Sequence, residues 1–419
     1  MLHVRLNPRI MAATDAAPLQ AERHRPNRGG DSRTAGAEGF PPAGFLHDGL
    51  AMVLENLTAD EASLLRRAMA ETGGLATSLA ESNGDGGTSH LLLAGSTGQF
   101  HSLATALTES SPPCPDLGRE IERAVEGYGR RRFTLRLGAR RLAVGPQPAI
   151  MGILNVTPDS FSDGGRYLNP AEAVAHAERL VAEGADLIDV GGESTRPGSE
   201  PVPEAEELRR VLPVVETLAS RLDVPISIDT RHARVAREAA SAGAAVINDV
   251  TGLLGDPEMP AAVAETGAAC ILMHMLGEPK TMQHNPRYDN LMADICRSLR
   301  RGLQAAADAG VPEEAVIVDP GIGFGKTLEH NLTILARLGQ LRTLGVPILV
   351  GPSRKRFIGD LAGGVAPEAR VPGTAAACSL AVAAGALLVR VHDVAEAVQA
   401  LAVASAVLQA AEGESVATP

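Results

Sequence analysis

An α/β unit repeats along most of this chain, and that repeat limits the possible folds more than any other feature. Short apolar runs recur at 151–154, 187–190, 226–228, 245–247, 270–273, 316–318, 348–350 and 387–389, each the length of one buried strand. Helical stretches at 171–183, 204–222, 233–242, 259–266, 291–309, 328–341, 374–384 and 394–411 follow them in turn. Apolar strands alternating with helices predict a parallel sheet covered on its faces. Eight such units in roughly 260 residues match the size of a (β/α)8 TIM barrel. A doubly wound open sheet is the alternative, but it has less use for eight equal units.

The strand ends carry the chemistry. The polar residues just past the strands are Asn155, Asp189, Asp229, Asn248, His274, Asp319, Ser353 and, after the last, Arg390 with His392. In a parallel barrel these open on one face, where the loops build a site. One strand-end Asp is usually a helix cap or a loop bracket. Three Asp and two Asn together predict a face rich in hydrogen-bond acceptors, with a possible cation site but no nucleophile paired to a base. Basic loops follow the seventh strand (Ser353-Arg354-Lys355-Arg356) and the eighth (Arg390-x-His392), positions where barrels often bind phosphate. The stretch Asp319-Pro-Gly-Ile-Gly-Phe-Gly-Lys-Thr is not a P-loop, because Pro320 stands where the first Gly should be. Its glycines let the backbone turn tightly and approach a flat ligand.

Composition narrows the function classes. A net charge of −12 and 2% aromatics argue against nucleic acid, leaving Arg130–Arg132, Arg136, Arg140 and Arg141 as the polar face of a hairpin over 133–144. The four cysteines form no Cys-x-x-Cys pair, and Cys270 and Cys378 lie in apolar runs as buried reduced thiols. No apolar run reaches the ~18 residues that span a bilayer. A cytoplasmic protein with no membrane or nucleic-acid partner is expected. Residues 1–43 read as a disordered tail without a secretory h-region. Residues 44–129 read as a small α/β extension whose role is not legible; in it Thr58 and Glu61 form a capping box for a helix through Ala70. The barrel is expected over 130–412, with a flexible end at 413–419.

Several of these segments resemble the motifs of one family, the dihydropteroate synthases of the folate pathway. The stretch 150–165 (Ile-Met-Gly-Ile-Leu-Asn-Val-Thr-Pro-Asp-Ser-Phe-Ser-Asp-Gly-Gly) is similar to its first motif, and 184–197, with Gly191-Gly-Glu-Ser-Thr-Arg-Pro197, to its second. Ser227-Ile-Asp-Thr230, Ile247-Asn-Asp249, Asp319-Pro-Gly-Ile-Gly-Phe-Gly325, Ser353-Arg-Lys355 and Arg390-Val-His392 follow in the family's order. The resemblance implies a TIM-barrel transferase that condenses 6-hydroxymethyl-7,8-dihydropterin diphosphate with 4-aminobenzoate, requires Mg2+ and forms a homodimer. By family position, Asp229, Asn248, Met273, Asp319, Phe324 and Lys355 bind the pterin. Asn155, Arg196, Arg390 and His392 surround the diphosphate, and Asn155 ligates Mg2+. Phe161, Thr195, Pro197, Ser353 and Arg354 line the aminobenzoate pocket, and Asp159 and Asp189 act from loops or from behind the ligand contacts. Asn155, Asp229, Lys355 and Arg390 are the implied catalytic residues. A corrinoid-linked pterin methyltransferase would share the acids but has no use for the basic motifs. A non-catalytic pterin or phosphate binder is the second rival.

Overall fold

The structure, a computed structural model, describes residues 6–12, 49–81, 89–110, 114–156, 170–193, 202–278, 280–411 and 413. The chain packs as two compact units: Met1–Arg130 with Gly339–Gly345, and Arg131–Leu338 with Val346–Pro419.

The first unit is a four-stranded antiparallel sheet with helices on one face. In chain order it comprises β1 (Arg9–Ala12), β2 (Gly49–Leu57), α1 (Ala59–Glu71), β3 (Leu75–Glu81), β4 (Ser89–Ser96), α2 (Thr97–Glu109) and α3 (Pro115–Gly129). The sheet order is β1-β2-β4-β3. Side chains alternate across it, as the period of two requires. Met52, Leu54, Leu91 and Leu93 enter one core with Leu65, Phe100, Leu103 and Ile121, while Ala51, Val53 and Leu92 meet Met11 in another cluster. The Thr58 cap forms as expected: its hydroxyl accepts from Glu61 N at 3.2 Å, and Glu61 accepts from Thr58 N at 2.8 Å. Ser96 and Gln99 make the same box at α2.

The expected disordered tail is overturned at residues 6–12. Leu6 and Ile10 are fully buried, and β1 pairs with β2 in the register Arg9↔Val53 to Ala12↔Leu50. Glu55 holds the segment, accepting from Arg9 NH2 at 2.8 Å and from Asn7 Nδ2 at 3.0 Å. A short strand whose partner lies more than forty residues away leaves no local periodicity to read. The helix expected over 328–341 also ends early. Its α-helical part stops at Ala336, and a 3-10 helix, Leu338–Leu344, places Arg342 over the Tyr128 ring at 4.2 Å within the first unit.

The second unit is the eight-stranded parallel barrel. A hairpin, β5 (Phe133–Leu137) and β6 (Arg140–Val144), precedes it. The barrel strands are β7 (Ala149–Asn155), β8 (Leu187–Gly191), β9 (Ile226–Asp229), β10 (Val246–Asp249), β11 (Ala269–Met273), β12 (Val316–Asp319), β13 (Leu349–Val350) and β14 (Leu388–Val391). They run in the order β12-β11-β10-β9-β8-β7-β14-β13. A parallel bridge Val318↔Ile348, with Val318 N donating to Pro347 O at 3.0 Å, closes the ring. Around it lie α4 (Pro170–Ala182), α5 (Glu204–Arg221), α6 (Ala233–Ser241), α7 (Met259–Thr266), α8 (Leu291–Asp308), α9 (Leu328–Ala336), α10 (Arg356–Leu361), α11 (Val371–Ala383) and α12 (Val394–Ala411). On α5 the buried positions Leu208, Val211, Val215 and Leu218 recur at helical spacing and face the sheet. The hairpin sits at the barrel's N-terminal end: Arg140 donates to the Asp223 carbonyl just before β9, and Gly138 lies against Ala245 just before β10.

Two further expectations meet the structure here. Cys270, Cys296 and Cys378 are buried free thiols, and burial pushes Cys270 and Cys378 up to about 12. Against the reading that no apolar run is long enough to span a bilayer, α12 reaches that length and apolarity with 18 residues. It is the last barrel helix, packing Val394, Ala397 and Leu401 inward.

Removing Glu55 would leave the Arg9 guanidinium buried without its carboxylate. Glu55→Ala is expected to destabilise the first unit by about 3 to 5 kcal/mol. Hydrogen exchange should show the loss of protection concentrated in β1, β2 and β4.

Candidate active site

Parallel strands of one barrel end on one face, so the polar terminal residues converge there. Asp189 ends near the centre, fully buried, and its Oδ2 accepts from Asn248 Nδ2 at 3.0 Å and from Arg390 Nε at 2.6 Å. The same guanidinium reaches Asp229 Oδ2 through NH2 at 2.8 Å. Arg390 thus links the ends of β8, β9 and β14, and Asn248 adds β10. Burial pushes the Asp229 carboxyl upward; the Arg390 charge opposes this, and Asp189 and Asp249 reinforce it. Asp249 faces the other way as a loop bracket, accepting from Thr251 N and Leu253 N at 2.8 Å each.

Asp319, at the end of β12, accepts from Gly321 N at 2.7 Å. Burial pushes it up to about 6, while that hydrogen bond, Lys355, Lys326 and Arg390 pull it down. Gly321 has φ +69°, and a Cβ there would collide with the His274 carbonyl, so the turn after β12 is pressed backbone-to-backbone on the end of β11. The turn presents the Phe324 ring, over which Lys355 Nζ sits at 4.1 Å. Phe324 packs with Met273, Val250 and Met282 in one apolar cluster. Apolar surface from Met273 and Phe324, the Lys355 ammonium against the Phe324 ring, and carboxylate and carboxamide acceptors at the same barrel mouth suit a planar heterocycle with ring N–H donors.

The basic residues of the last two loops are paired within the barrel mouth. Arg354, at φ +56°, commits its guanidinium to Asp393, with Nε to Oδ2 at 2.9 Å. The Arg390 fork likewise engages acids of the barrel mouth, through Nε and NH2. The reason is electrostatic: buried carboxylates at this density need a cation within reach. Ser353 and His392 do meet. The His392 backbone N–H donates to Ser353 Oγ at 3.1 Å, and Ser353 Oγ lies 3.0 Å from His392 Nδ1. A hydroxyl that accepts from the backbone N–H can donate its own proton to Nδ1, an arrangement that places the imidazole N–H on Nε2. Burial, then Arg390 and Arg354, pull the His392 imidazole down to about 3, so it is neutral.

Asn155 ends β7, half-buried, with its Oδ1 beside Gly191 and Asp229 at the barrel mouth. Among the described residues its carboxamide has no hydrogen-bond partner. Asp159, Phe161, Thr195, Arg196 and Pro197 lie outside the described residues. His274, one of the strand-end residues, has its Nδ1 3.0 Å from Lys326 Nζ, buried behind the turn, a pairing that the sequence does not reveal. Lys326 stood in the motif dismissed as a P-loop, and nothing local marks it as buried. A second cluster, Glu193, Glu207 and His232, also went unnoticed; burial pushes Glu207 up to about 8.

Comparison with known proteins adds to this geometry. The family described as "Pterin binding enzyme" matches residues 151–392. The dihydropteroate synthase of Escherichia coli (strain K12) is 48% identical over 267 residues, which are 64% of this chain and 94% of that protein. The crystal structure of the Yersinia pestis dihydropteroate synthase with a sulfonamide drug superposes with a TM-score of 0.63 at 48% identity, covering 66% of this chain and 100% of that one. The Xanthomonas albilineans dihydropteroate synthase with 4-aminobenzoic acid gives 0.62 at 48% identity, covering 69% and 100%.

The raised Asp319 carboxyl has a consequence for stability. A folded-state value above the unfolded one favours folding below about pH 4, and that contribution is lost as pH rises through about 6. At pH 8 the ionised Asp319 is a cost, at most about 3 kcal/mol for a shift of this size. Asp319→Asn keeps the acceptor for Gly321 and removes the charge. It is expected to raise the thermal midpoint at pH 8 by a few degrees, with the gain shrinking toward pH 4 in scanning calorimetry.

Proposed function

The chain belongs to the pterin-binding enzyme family, among the dihydropteroate synthases, and from that premise we propose how its own side chains carry the reaction. The enzyme joins 6-hydroxymethyl-7,8-dihydropterin diphosphate to 4-aminobenzoate, giving 7,8-dihydropteroate and diphosphate. It is a transferase of the dihydropterinylmethyl group. The observation that carries the assignment of roles is that Arg390 and Asp189 join Asp229 and Asn248 at the barrel mouth, while Asp319 lies opposite Met273 in register and Lys355 meets the Phe324 ring.

The pterin ring lies on Phe324 and Met273, and its amide and amidine N–H groups donate to Asp229, Asn248 and Asp319. Lys355 donates to the ring's carbonyl and nitrogen acceptors. Buried acceptors discriminate strongly, because a ring lacking those donors leaves them unpaired. The bond from the methylene carbon to the bridging oxygen then breaks, and its electron pair leaves on the diphosphate. The positive charge left on the methylene is delocalised into the dihydropterin. Arg390 spends Nε on Asp189 and one NH2 proton on Asp229, so three of its five N–H groups remain for substrate. With the His392 Nε2–H and Arg196 they form the diphosphate side. The arylamine nitrogen, unprotonated at neutral pH, attacks the methylene and loses one proton, which needs no strong base.

Phe161, Thr195, Pro197, Ser353 and Arg354 are assigned to the aminobenzoate side, with Asp159 on its loop. Asn155 fits Mg2+, since a neutral carboxamide oxygen at the barrel mouth, with no partner among the described residues, suits a hard cation that also takes water and phosphate oxygens. When bound, the ion would supply positive charge to the departing diphosphate. The working form is a cytoplasmic homodimer. Leu380, Val403 and Val407 on the adjacent helices α11 and α12 are 64%, 66% and 63% exposed, an apolar face that suits a second copy.

Formation of 7,8-dihydropteroate should require 4-aminobenzoate and Mg2+, and Lys355→Ala should lower kcat/KM about a hundredfold or more while the fold is kept. Failure to form dihydropteroate from the two substrates, or an active Lys355→Ala enzyme, would overturn these roles. Val407→Asp is expected to shift the sedimentation of the protein from dimer to monomer; a wild-type monomer would remove the dimer from this reading.

A further inference from the structure

The turn after β12 is tied down on several sides. Gln283 Nε2 donates to Gly323 O at 2.6 Å, Tyr288 OH to Gly325 O at 2.8 Å, and Gly323 N to Asn331 Oδ1 at 2.8 Å. These ties come from surrounding loops and from α9. Lys326 differs from them in depth: it is 3% exposed, and its amine sits behind the turn. Three acceptors surround that amine: Phe324 O at 2.9 Å, His274 Nδ1 at 3.0 Å and His274 O at 3.3 Å. Burial pulls this amine down to about 7, with the Asp319 charge opposing; in its charged form all three N–H groups find partners.

We propose that Lys326 is a positioning residue for pterin recognition: its amine locks the Gly321–Gly325 turn to the end of β11 and so sets where Phe324 and Asp319 meet the ring. The inference rests on the synthase reading above. The mechanical path is short. One partner, the Phe324 carbonyl, belongs to the residue whose ring forms the floor under Lys355. The other two belong to His274, next to Met273 on the same floor. Gly321 N, in the turn being held, orients the Asp319 carboxylate at 2.7 Å. The His274 imidazole stays neutral, pulled well down by burial and by the Lys326 charge, so Nδ1 is free to accept.

A buried amine is costly to keep, and an apolar side chain of similar length is often as stable in such a place. A purely structural lysine would therefore be replaceable by methionine without functional cost. A positioning lysine would not be.

Lys326→Met is expected to stay folded and to raise KM for the dihydropterin diphosphate about tenfold, the loss of roughly one charge-assisted hydrogen bond. KM for 4-aminobenzoate should stay within about twofold of wild type, and kcat should change less than the pterin KM does. Calorimetric affinity for 6-hydroxymethylpterin should fall in parallel. An unchanged pterin KM and affinity would overturn the inference, as would equal rises in both KM values, which mark general damage. Should Lys326→Met fail to fold, His274→Leu, which removes one acceptor, should raise the pterin KM in the same direction. His274→Gln, which keeps an acceptor, should restore it, and identical values for the two would also overturn the inference. A wild-type enzyme that binds the pterin but makes no product would sink the synthase reading instead, while the affinity comparison would still decide Lys326.

Discussion

Arg390 lies between Asp189 and Asp229, and its position makes the rest of the barrel mouth possible. Two buried carboxylates on adjacent parallel strands repel each other and lose hydration together. One guanidinium donating through Nε to the first and NH2 to the second offsets both costs at 2.6 and 2.8 Å. Asn248 completes the lattice by donating its amide to the same Asp189 oxygen. The acids and the carboxamide of the barrel mouth are thereby held in place by one another.

The same economy governs the turn after β12. Asp319, Phe324 and Lys326 fall within eight residues, and each faces a different environment: the acid edge, the ring floor and the buried back of the turn. Glycines at 321, 323 and 325 allow the chain to reverse so tightly. The cost is carried in stability, since Asp319 and Glu207 are carboxyls that burial pushes upward. Sites that bind donors through buried acids carry such costs, and the surrounding barrel core offsets them.

Some elements were legible because their signals are local. Each barrel strand appeared as an apolar run, and the acids of the barrel mouth as polar residues at or near the strand ends. The Thr58 capping box also reads within four residues. Elements whose partners lie far away were not legible. β1 was hidden in a polar, Pro- and Gly-rich stretch because its reason to be a strand is β2 and Glu55. The strands over 49–57 and 75–81 of the first unit were likewise missed, since they become recognisable only through their pairing with β4. The 3-10 ending of the segment after Ala336 depends on Arg342 finding Tyr128, more than two hundred residues earlier in the chain.

By itself the sequence determined the repeating α/β unit, the set of polar residues at the strand ends and the family to which they belong, because hydrophobic periodicity and motif spacing are properties of adjacent residues. The tertiary structure alone decided the partners: that Arg390 forks between Asp189 and Asp229, that Arg354 turns to Asp393, and that Lys326 lies buried against His274. Pairing depends on which strand ends become neighbours when the barrel closes at Val318 and Ile348, and charges that are remote along the chain interact strongly once burial has removed the water between them.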